Sequence, residues 1–492
     1  MISCRTMLDH RRRPIALMLS WAAAAAALVF WLTVTPNAAL RSQLLRAQFW
    51  VVGLNFLLAG TLACMNAPAF LRLFSVCARH VWLALGVAAL SVVLAVSLAP
   101  ETSRIYYDEQ IYQGVAQNLT ESRRAQMCND GDAESGRLRC RVGEYSKEPY
   151  GYPFILSLTY RLFGVRERIA YILNPLFAGM LAVVVFLSTM ALTGDATAGG
   201  FAGLVMALMP VQLRWAHTAS AETAAALACA CAVLAAVVFV RMQSTLSLLG
   251  MVSASTAALQ FRPECLLVLP LVLGIVLLFS PHVFGQPRVW WAGLAGLLLS
   301  APHIGHLVAV RGEGWGTTGN RLSAAYVVFN LRANGWFYLG DARFPVIYTV
   351  LAVAALALSR RRRELAACAL YFCLFWGIFL LFYAGSYNYG ADERFSLMTF
   401  PPMAMLAGIG AWQMTAHAQA WRSSRWPVPA TAALLLLQFL WYVPFVRALG
   451  DEGWAARADV AFAKEVAAGL PADSIVLTHN PHMFHLWKRH AA

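Results

Sequence analysis

The sequence predicts an all-α polytopic membrane protein with about 13 transmembrane helices. Two observations support this fold class. The 492 residues are 60% hydrophobic and only 13% charged, and the mean hydropathy is +0.59. Soluble domains average roughly 45–50% apolar and about 25% charged residues, so the chain lies outside their range. Apolar runs also recur along nearly the whole length, which indicates one membrane domain and not a soluble domain with a single anchor.

The apolar runs have the length that a bilayer requires. A hydrocarbon core of about 30 Å is crossed by a helix of about 20 residues, and these runs contain roughly 14 to 23. The first run follows three arginines and superficially resembles a signal peptide, but it shows no clear cleavage pattern, so we expect a retained helix. The runs cover residues 14–35, 49–65, 81–98, 170–192, 197–213, 222–240, 246–259, 265–279, 289–308, 344–358, 365–383, 395–412 and 428–446.

The distribution of Lys and Arg predicts the orientation. Short cytoplasmic loops are enriched in these residues. A cytoplasmic N-terminus satisfies this rule for every loop, including the arginines at 11–13 and 360–363. We therefore expect a multi-pass protein of the inner (plasma) membrane whose functional face and C-terminus are extracytoplasmic. The acidic residues on the cytoplasmic side are then Asp9, Asp195 and Glu364 alone.

Two loops are too long to be simple connectors, and we expect both on the extracytoplasmic side. They span residues 99–168 and 310–343 of a transmembrane domain that covers 1–450. Within the first loop, residues 152–163 are apolar on one side and too short to span, which favours an interfacial helix. The extension 451–492 reads as an amphipathic helix and a short strand. This short C-terminal α/β extension should pack on the outer loops or belong to a longer module.

The net charge of +14 does not indicate nucleic-acid binding. The cationic residues are scattered between apolar runs and form no basic domain. We therefore expect membrane lipid as a partner, and no nucleic acid.

Two of the ten cysteines differ from the others. Most lie in apolar runs, where Cys behaves as a small buried hydrophobic residue. Cys128 and Cys140 lie in the polar first loop, where a disulfide or a metal pair are the alternatives. The absence of a CxxC spacing and of a nearby His favours the disulfide.

Asp108 and Glu109 are the first candidate catalytic residues. They open a segment in which Ile111, Val115 and Leu119 share one helical face. The ordinary interpretation is an N-capping Asp and a solvated Glu. Their position close to the membrane boundary favours a functional interpretation, because a carboxylate there is suited to take a proton from a hydroxyl acceptor.

Further polar residues are predicted at the extracytoplasmic ends of other runs. Singly, each is typical of an interfacial anchor or an ion pair. Together they place cations on the side where positive charge is disfavoured, which an anionic substrate such as a lipid phosphate would explain. The candidate substrate-binding residues are Lys147, Glu148, Tyr150, Arg214, His217, Glu222, Arg262, Glu264, Tyr387, Glu393 and Arg394.

No metal site is predicted. His303 and His306 are spaced to share a helix face, but no third ligand lies near them in the sequence. No motif indicates a cofactor, and assistance by a divalent metal is left as an alternative.

Three motifs together resemble the GT-C glycosyltransferases, most closely glycosyltransferase family 39, which contains protein O-mannosyltransferases and lipid A aminoarabinose transferases. The first is the Asp108-Glu109 pair at the start of a helix after an early span. The second is the stretch from Lys147 to an interfacial helix that ends Tyr-Arg-Leu-Phe-Gly at residues 160–164. The third is Glu-Arg-Phe-x-Leu-x-x-x-Pro-Pro at residues 393–402.

This resemblance implies a GT-C-like fold and an inverting transfer of a hexosyl or pentosyl group from a polyprenyl-phosphate-linked donor. The acceptor would be a hydroxyl of a lipid, glycan or protein. Asp108 would be the general base, with Glu109 orienting the acceptor or shaping the site, and Lys147, Arg262 and Arg394 would contact the donor phosphate. The chain departs from its relatives in having Glu148 between Lys147 and the proline, and in having two spans before the one that enters the Asp108 loop.

The main alternative is a multi-pass transporter or flippase of a lipid-linked or anionic solute. Transport sites lie near the middle of the membrane, often between repeated halves. Here the polar residues cluster at the ends of the spans, and no repeat between the halves is evident, so the sequence favours the transferase.

Overall fold

The computed structural model describes residues 4–134, 137–313, 317, 319–388, 390–422, 426–471 and 473–492, and most of them are helical. The α-helices are α1 (Cys4–Val34), α2 (Asn37–Leu73), α3 (Ala78–Leu98), α4 (Tyr106–Glu121), α5 (Gly151–Phe163), α6 (Arg168–Thr193), α7 (Ala196–Ala207), α8 (Pro210–Ala216), α9 (Glu222–Met242), α10 (Thr245–Leu259), α11 (Val268–Phe279), α12 (Pro287–Ala309), α13 (Val327–Gly340), α14 (Val346–Leu358), α15 (Arg362–Leu381), α16 (Phe400–Arg422), α17 (Pro427–Leu440), α18 (Val443–Arg447), α19 (Gly450–Gly469) and α20 (Pro481–Leu486). Four 3₁₀ helices cover Pro263–Leu267, Pro281–Gly285, Ala324–Tyr326 and Gly390–Thr399.

The predicted apolar runs lie in helical parts of the chain, but some of them are divided between two helices, and not all of these helices have the length of a span. Among the described residues, eight helices are long and apolar enough to cross a membrane. Two more spans are counted if α7 with α8, and α17 with the helix that follows it, are each taken as one bent unit, with bends of 59° and 50°. Three apolar helices are shorter, and α10, with 15 residues, extends only about 22 Å. The count of 13 spans therefore stays a prediction.

The break between α7 and α8 has a local cause. Pro210 opens α8 and has no N–H to continue the hydrogen bonds of α7. The predicted single run 197–213 is therefore two helices with a bend of 59° between them.

Helices α6, α9 and α16 form the centre of the bundle. Inside the protein, 94% of the apolar window of α16 is buried, and 72% of the windows of α6 and α9, against 6% of that of α1. A helix that is hydrophobic all round is stable only where protein or lipid covers every face. The arrangement assigns α16 to the protein interior and α1 to the periphery.

A second hydrophobic core lies beside the first long loop. Helix α2 has 37 residues and extends about 55 Å, well beyond a hydrocarbon core of about 30 Å. Leu40, Leu44 and Phe49 near its start pack with Ile111 and Val115 of α4. The predicted apolar face of α4 is thus confirmed, and it gives this helix a rigid support.

The first long loop and the C-terminal extension share one β-sheet. Strands β1 (Gln126–Glu134) and β2 (Arg137–Tyr145) form an antiparallel hairpin, which the sequence analysis did not predict. Strand β4 (His490–Ala491) pairs antiparallel with β1, and β3 (Ile475–Val476) pairs parallel with β4. The extension therefore packs on the first loop through a sheet of order β2-β1-β4-β3.

Cys128 and Cys140 form a disulfide across this hairpin, which is the favoured one of the two sequence-based alternatives. Gly131 makes the bridge sterically feasible, because a Cβ atom there would lie 2.8 Å from the sulfur of Cys128. The disulfide therefore fixes the hairpin on which the C-terminal strands pair.

The second long loop contains a helix that the sequence analysis left as loop. Residues 314–316 and 318 of this loop lie outside the described part of the chain. Helix α13 lies across the end of α15, where the Nδ2 of Asn330 donates hydrogen bonds to the carbonyls of Phe379, Leu380 and Phe382. The last carbonyls of a helix have no intrahelical donor, and Asn330 supplies one.

Candidate active site

A cavity of about 500 Å³ lies where the two long loops meet the ends of α10, α12 and α15. We call the charged part of its lining the charged wall and the apolar part the apolar wall. The charged wall, together with Glu222, forms what we call the cavity cluster. The charged lining residues are Asp108, Lys147, Glu148, Arg262, Glu264, Arg321 and Arg394, and the apolar ones include Leu266, Leu267, Leu307, Ile378, Phe379 and Phe382.

Asp108 faces the cavity and does not cap its helix. The sequence analysis placed it at the N-cap, but α4 begins two residues earlier, at Tyr106, and the N-cap residue is Ile105. The Asp108 carboxylate instead pairs with Arg394, with 3.1 Å between Oδ2 and Nη1. Its side chain is 25% exposed. The capping interpretation was therefore wrong, and the carboxylate is directed toward the cavity.

Glu109 points away from the cavity and is completely buried. Its Oε1 accepts hydrogen bonds from the N–H groups of Arg104 (2.7 Å) and Ile105 (3.0 Å), and its Oε2 accepts one from Ala219 (2.8 Å). Burial raises the pKa of Glu109 to about 7, although these three donors oppose the shift. Glu109 joins the start of α4 to the segment after α8, so it shapes the site and does not contact a substrate in the cavity.

Glu222 lies behind the charged wall between two arginines. Its Oε1 is 2.6 Å from Nη1 of Arg262 and 3.4 Å from Nη1 of Arg394. Arg262 also pairs with Glu264, which lies two residues further along the chain. Since Glu222 is only 1% exposed, it acts as a counter-ion that fixes both guanidinium groups and does not reach the cavity itself.

Glu148 is the carboxylate of the cavity wall that has no ion pair within 4 Å among the described residues. It is 7% exposed, and its Oε2 accepts a hydrogen bond from the hydroxyl of Tyr112 at 3.4 Å. Burial and the nearby Asp108 carboxylate raise the pKa of Glu148 to about 7, while Arg262 and Lys147 oppose the shift. Near neutral pH this residue therefore sets the charge of the cavity.

Two further predicted residues, Arg214 and Glu393, lie in a second cluster together with three charged residues that were not predicted. We call it the ion-pair cluster: Arg104, Arg214, Arg343, Glu393 and Glu452. Arg214 pairs with Glu393 (3.5 Å) and Glu452 (3.0 Å), and Arg343 pairs with Glu393 at 3.3 Å. None of the five lines the cavity. Arg214 and Glu393 were predicted to bind substrate, but the structure pairs them with protein charges.

Three other predicted residues also lie away from the cavity. Tyr150 packs against Tyr145 and His306 and donates a hydrogen bond to the carbonyl of Ser146. The Nδ1 of His217 forms a hydrogen bond with the carbonyl of Ala99. Tyr387 packs among aromatic residues, including Phe337, and its N–H donates to Asn334. Tyr150 and Tyr387 became candidates because they lie close in sequence to charged residues, and His217 because it can carry a positive charge.

The sequence analysis missed several residues of both clusters. Tyr112 lines the cavity one helical turn after Asp108, and the i, i+4 spacing was the signal that would have found it. Arg321 and Tyr383 line the cavity from distant segments, without a local signal. The same holds for Arg104 and Glu452, which are far apart in sequence and pair only in the fold.

The described residues contain no group of three or more His, Cys, Asp or Glu side chains placed to hold a metal ion. His303 and His306 lie together on α12, with their ring centroids 6.1 Å apart. The Nδ1 of His306, however, forms a hydrogen bond with the hydroxyl of Tyr145. These two residues are therefore part of the buried packing beside Tyr150.

The fold of the bundle with its first-loop helix is similar to that of solved membrane-protein structures. Two structures of ArnT from Cupriavidus metallidurans, one bound to undecaprenyl phosphate and one in the apo state, match with TM-scores of 0.58 and 0.56 at 16% identity. The matches cover 83% and 84% of this chain and 85% of each ArnT chain. The archaeal oligosaccharyltransferase AglB from Archaeoglobus fulgidus gives a TM-score of 0.48 at 12% identity, over 84% of this chain and 64% of AglB.

A family model described as dolichyl-phosphate-mannose-protein mannosyltransferase matches residues 147–306. This segment includes Lys147, Glu148, Glu222, Arg262 and Glu264 of the cavity cluster. Among functionally characterised proteins, no sequence gives a significant match. Together, the family model and the shared fold confirm the resemblance to the GT-C glycosyltransferases.

Proposed function

We propose that the protein transfers a sugar from a polyprenyl-phosphate-linked donor to a hydroxyl acceptor on the extracytoplasmic face of the inner membrane. The observation that carries this proposal is the cavity itself. The Asp108 carboxylate lines it together with Lys147, Arg262 and Arg394. A transferase of this kind needs a base for the acceptor and cations for the departing phosphate in the same enclosed space.

The apolar wall supports a lipid-linked donor. Leu266 lines the cavity and is also 39% exposed on the side of the bundle. Exposed Leu269, Leu273 and Leu277 continue from it along α11 at spacings of three and four residues, and therefore share one helical face. A polyprenyl chain on this face would stay in the bilayer while its phosphate reaches the charged wall.

The reaction proceeds by one displacement. The acceptor oxygen attacks the anomeric carbon, the bond from that carbon to the phosphate oxygen breaks, and the polyprenyl phosphate leaves with the bonding electrons. The hydroxyl proton passes to the Asp108 carboxylate. Attack opposite the leaving group inverts the anomeric configuration. Lys147, Arg262 and Arg394 stabilise the charge on the leaving phosphate.

The supporting residues have different roles in this proposal. Arg394 orients the Asp108 carboxylate before the acceptor binds, and Glu222 holds Arg394 and Arg262 in place. Glu109 positions the start of α4. Glu148 and Glu264 line the cavity and are the carboxylates available to sugar hydroxyls.

The comparisons agree with this chemistry. The matched family model is named for a mannosyltransferase that uses dolichyl phosphate mannose, and one matching ArnT structure contains undecaprenyl phosphate. At 16% identity this structural likeness supports the fold, and the donor class of this chain is our inference from its cavity.

Lipid mass spectrometry on a strain that lacks the protein tests the proposal. The expected result is accumulation of one polyprenyl-phosphate-linked sugar, reversed by the wild-type gene and not by Asp108→Asn. The transporter alternative predicts instead that the Asp108→Asn variant reverses the accumulation, or that purified protein in liposomes moves a solute without any sugar transfer. Either result would contradict the transferase.

A further inference from the structure

Glu452, in the first turn of α19, pairs with two buried arginines from distant parts of the chain. Its Oε1 lies 3.2 Å from Nη1 of Arg104 and 3.0 Å from Nη2 of Arg214. The side chain of Arg104 is fully buried, and that of Arg214 is 8% exposed. Two guanidinium groups that share one partner repel each other. The negative charge of Glu452, which pairs with both, offsets this repulsion.

The first of these arginines leads directly to the start of α4. Arg104 donates hydrogen bonds from its side chain to the carbonyls of Leu449 (2.6 Å) and Ala448 (3.3 Å), and its N–H donates to Glu109. Asp108 is the neighbour of Glu109 in the first turn of α4. The segment just before α19 is thereby joined to the turn that carries Asp108.

The second arginine, Arg214, is linked to the Asp108 carboxylate through a separate set of contacts. Arg214 pairs with Glu393, and the next residue in the 3₁₀ helix, Arg394, pairs with Asp108. Successive residues of a 3₁₀ helix point about 120° apart. One short helix therefore contacts the ion-pair cluster through Glu393 and the cavity through Arg394.

A separate contact holds the middle of α4. Helix α20 packs against it, and a Cβ atom on Gly114 would lie 2.7 Å from Nδ1 of His482. Nearby, Gln117 donates a hydrogen bond to the carbonyl of His485. Only glycine permits this close approach. The C-terminal extension therefore contacts the middle of α4 directly, and it is linked to the start of α4 through Arg104.

We propose that Glu452 is a positioning residue, which holds the Asp108 carboxylate in its reactive orientation through Arg104 on one side and Arg214 on the other. This inference rests on the proposed function, since it assigns the C-terminal extension a role in the same reaction. Glu452 touches neither the cavity nor a substrate, and it acts through the two arginines.

The charge balance explains why a carboxylate is required. Burial, and then the proximity of Arg214, lower the pKa of Arg104 to about 10, while Glu452 and Glu393 oppose the shift. Without the charge of Glu452, two cations would share Glu393 as their closest anion. Arg214 would then compete with Arg343 for Glu393, and the 3₁₀ helix that carries Arg394 would shift.

The test compares Glu452→Gln, which keeps the size and removes the charge, with Glu452→Asp, which keeps the charge. Asp451→Asn is the matched control, because Asp451 lies in the same helical turn and is exposed. Each full-length variant is expressed in the strain that lacks the protein, and the lipid-linked sugar is quantified. The same proteins, in nanodiscs, are measured for binding of undecaprenyl phosphate and for hydrogen exchange of residues 104–115.

Glu452→Gln should slow sugar transfer by about tenfold or more, which corresponds to a barrier increase of about 1.4 kcal/mol. Its affinity for undecaprenyl phosphate should change by less than about threefold, since the cavity cations remain. Hydrogen exchange at residues 104–115 should accelerate about tenfold, because local opening of this segment would become easier by the same free energy. Glu452→Asp should recover part of both effects, and Asp451→Asn should match the wild type.

Unchanged hydrogen exchange at 104–115 in Glu452→Gln would overturn the proposal, and so would equal effects of Glu452→Gln and Asp451→Asn. If Glu452→Gln does not reach the membrane, Glu452→Asp decides, because the shorter carboxylate must still accelerate exchange relative to the wild type. If the wild type itself does not consume the lipid-linked sugar, the proposed function fails, whereas the hydrogen-exchange comparison still decides the coupling of Glu452 to α4.

Discussion

The cavity cluster and the ion-pair cluster contain the same residue types, yet they differ in what their charges face. In the cavity cluster, Asp108 and Arg394 point into an open volume of about 500 Å³. In the ion-pair cluster, Arg214 and Arg343 pair with protein carboxylates and do not line the cavity. Paired charges that line a cavity remain accessible to a ligand, whereas paired charges away from the cavity only hold the fold together. The two clusters meet at Glu393 and Arg394, which are neighbours in sequence.

The largest effect that tests this comparison is expected at Asp108. Asp108→Asn keeps the shape of the side chain and removes the base, so we expect sugar transfer to fall by about 10²–10⁴-fold. Binding of undecaprenyl phosphate and the melting temperature should stay close to those of the wild type, because a partly exposed carboxylate is removed. Transfer at the wild-type rate would remove Asp108 from the role of base.

The next largest effect is expected at Arg394. Arg394→Gln removes a cation from the cavity wall and leaves Asp108 without its ion-pair partner. Charge-assisted hydrogen bonds contribute about 1.5–3 kcal/mol, so kcat/KM for the lipid-linked donor should fall by about 10–100-fold. Arg394→Lys should retain more activity than Arg394→Gln. Equal activity of the two variants would mean that charge at this position is not needed.

A smaller effect is expected from the titration of Glu148, whose pKa is raised to about 7. Below pH 7 this carboxyl is protonated, and above it the cavity gains one negative charge beside Asp108. An anionic donor should therefore bind more weakly as the pH rises, with a donor KM that increases a few-fold between about pH 6 and pH 8. Glu148→Gln should flatten this dependence, and an identical pH profile in the variant would contradict the assignment.

The smallest effect on transfer is expected at Arg343, in the ion-pair cluster. Arg343→Gln removes the ion-pair partner of Asp341 and one of the two arginines that pair with Glu393, which should cost about 1–3 kcal/mol of folding stability. The expected readout is a lower melting temperature, with transfer within about twofold of the wild type. A loss of transfer as large as that of Arg394→Gln would show that Arg343 contributes to the reaction and not only to folding stability.

The fold class was readable from the sequence because lipid imposes strong constraints on composition and segment length. Every predicted apolar run lies in a helical part of the chain, and the apolar face of α4 at Ile111, Val115 and Leu119 packs as expected. The hairpin at 126–145 was not predicted, although residues 137–142 of β2 alternate between arginine and apolar residues as a half-buried strand does. Strand β1 is polar and lacks this alternation, so it gave no matching signal. Its pairing with β4 depends on residues more than 340 positions away and has no local signal.

The site was only partly readable for a related reason. Proximity to the end of a span selected Asp108, Arg262 and Arg394, which line the cavity, but the same rule also selected Arg214 and His217, which do not. Sequence position gives the end of the bundle at which a side chain lies and not the direction in which it points. The opposite orientations of Asp108 and Glu109, and of Glu393 and Arg394, follow from helical geometry that depends on where each helix begins.

A photoreactive undecaprenyl phosphate, with its reactive group close to the phosphate, tests the central distinction most directly. In the purified protein, crosslinks should map to the cavity lining at residues 262–267 and 378–383, and excess undecaprenyl phosphate should abolish them. Crosslinks at residues 210–217 and 341–343, with the cavity lining unlabelled, would contradict the assignment of the cavity as the donor site.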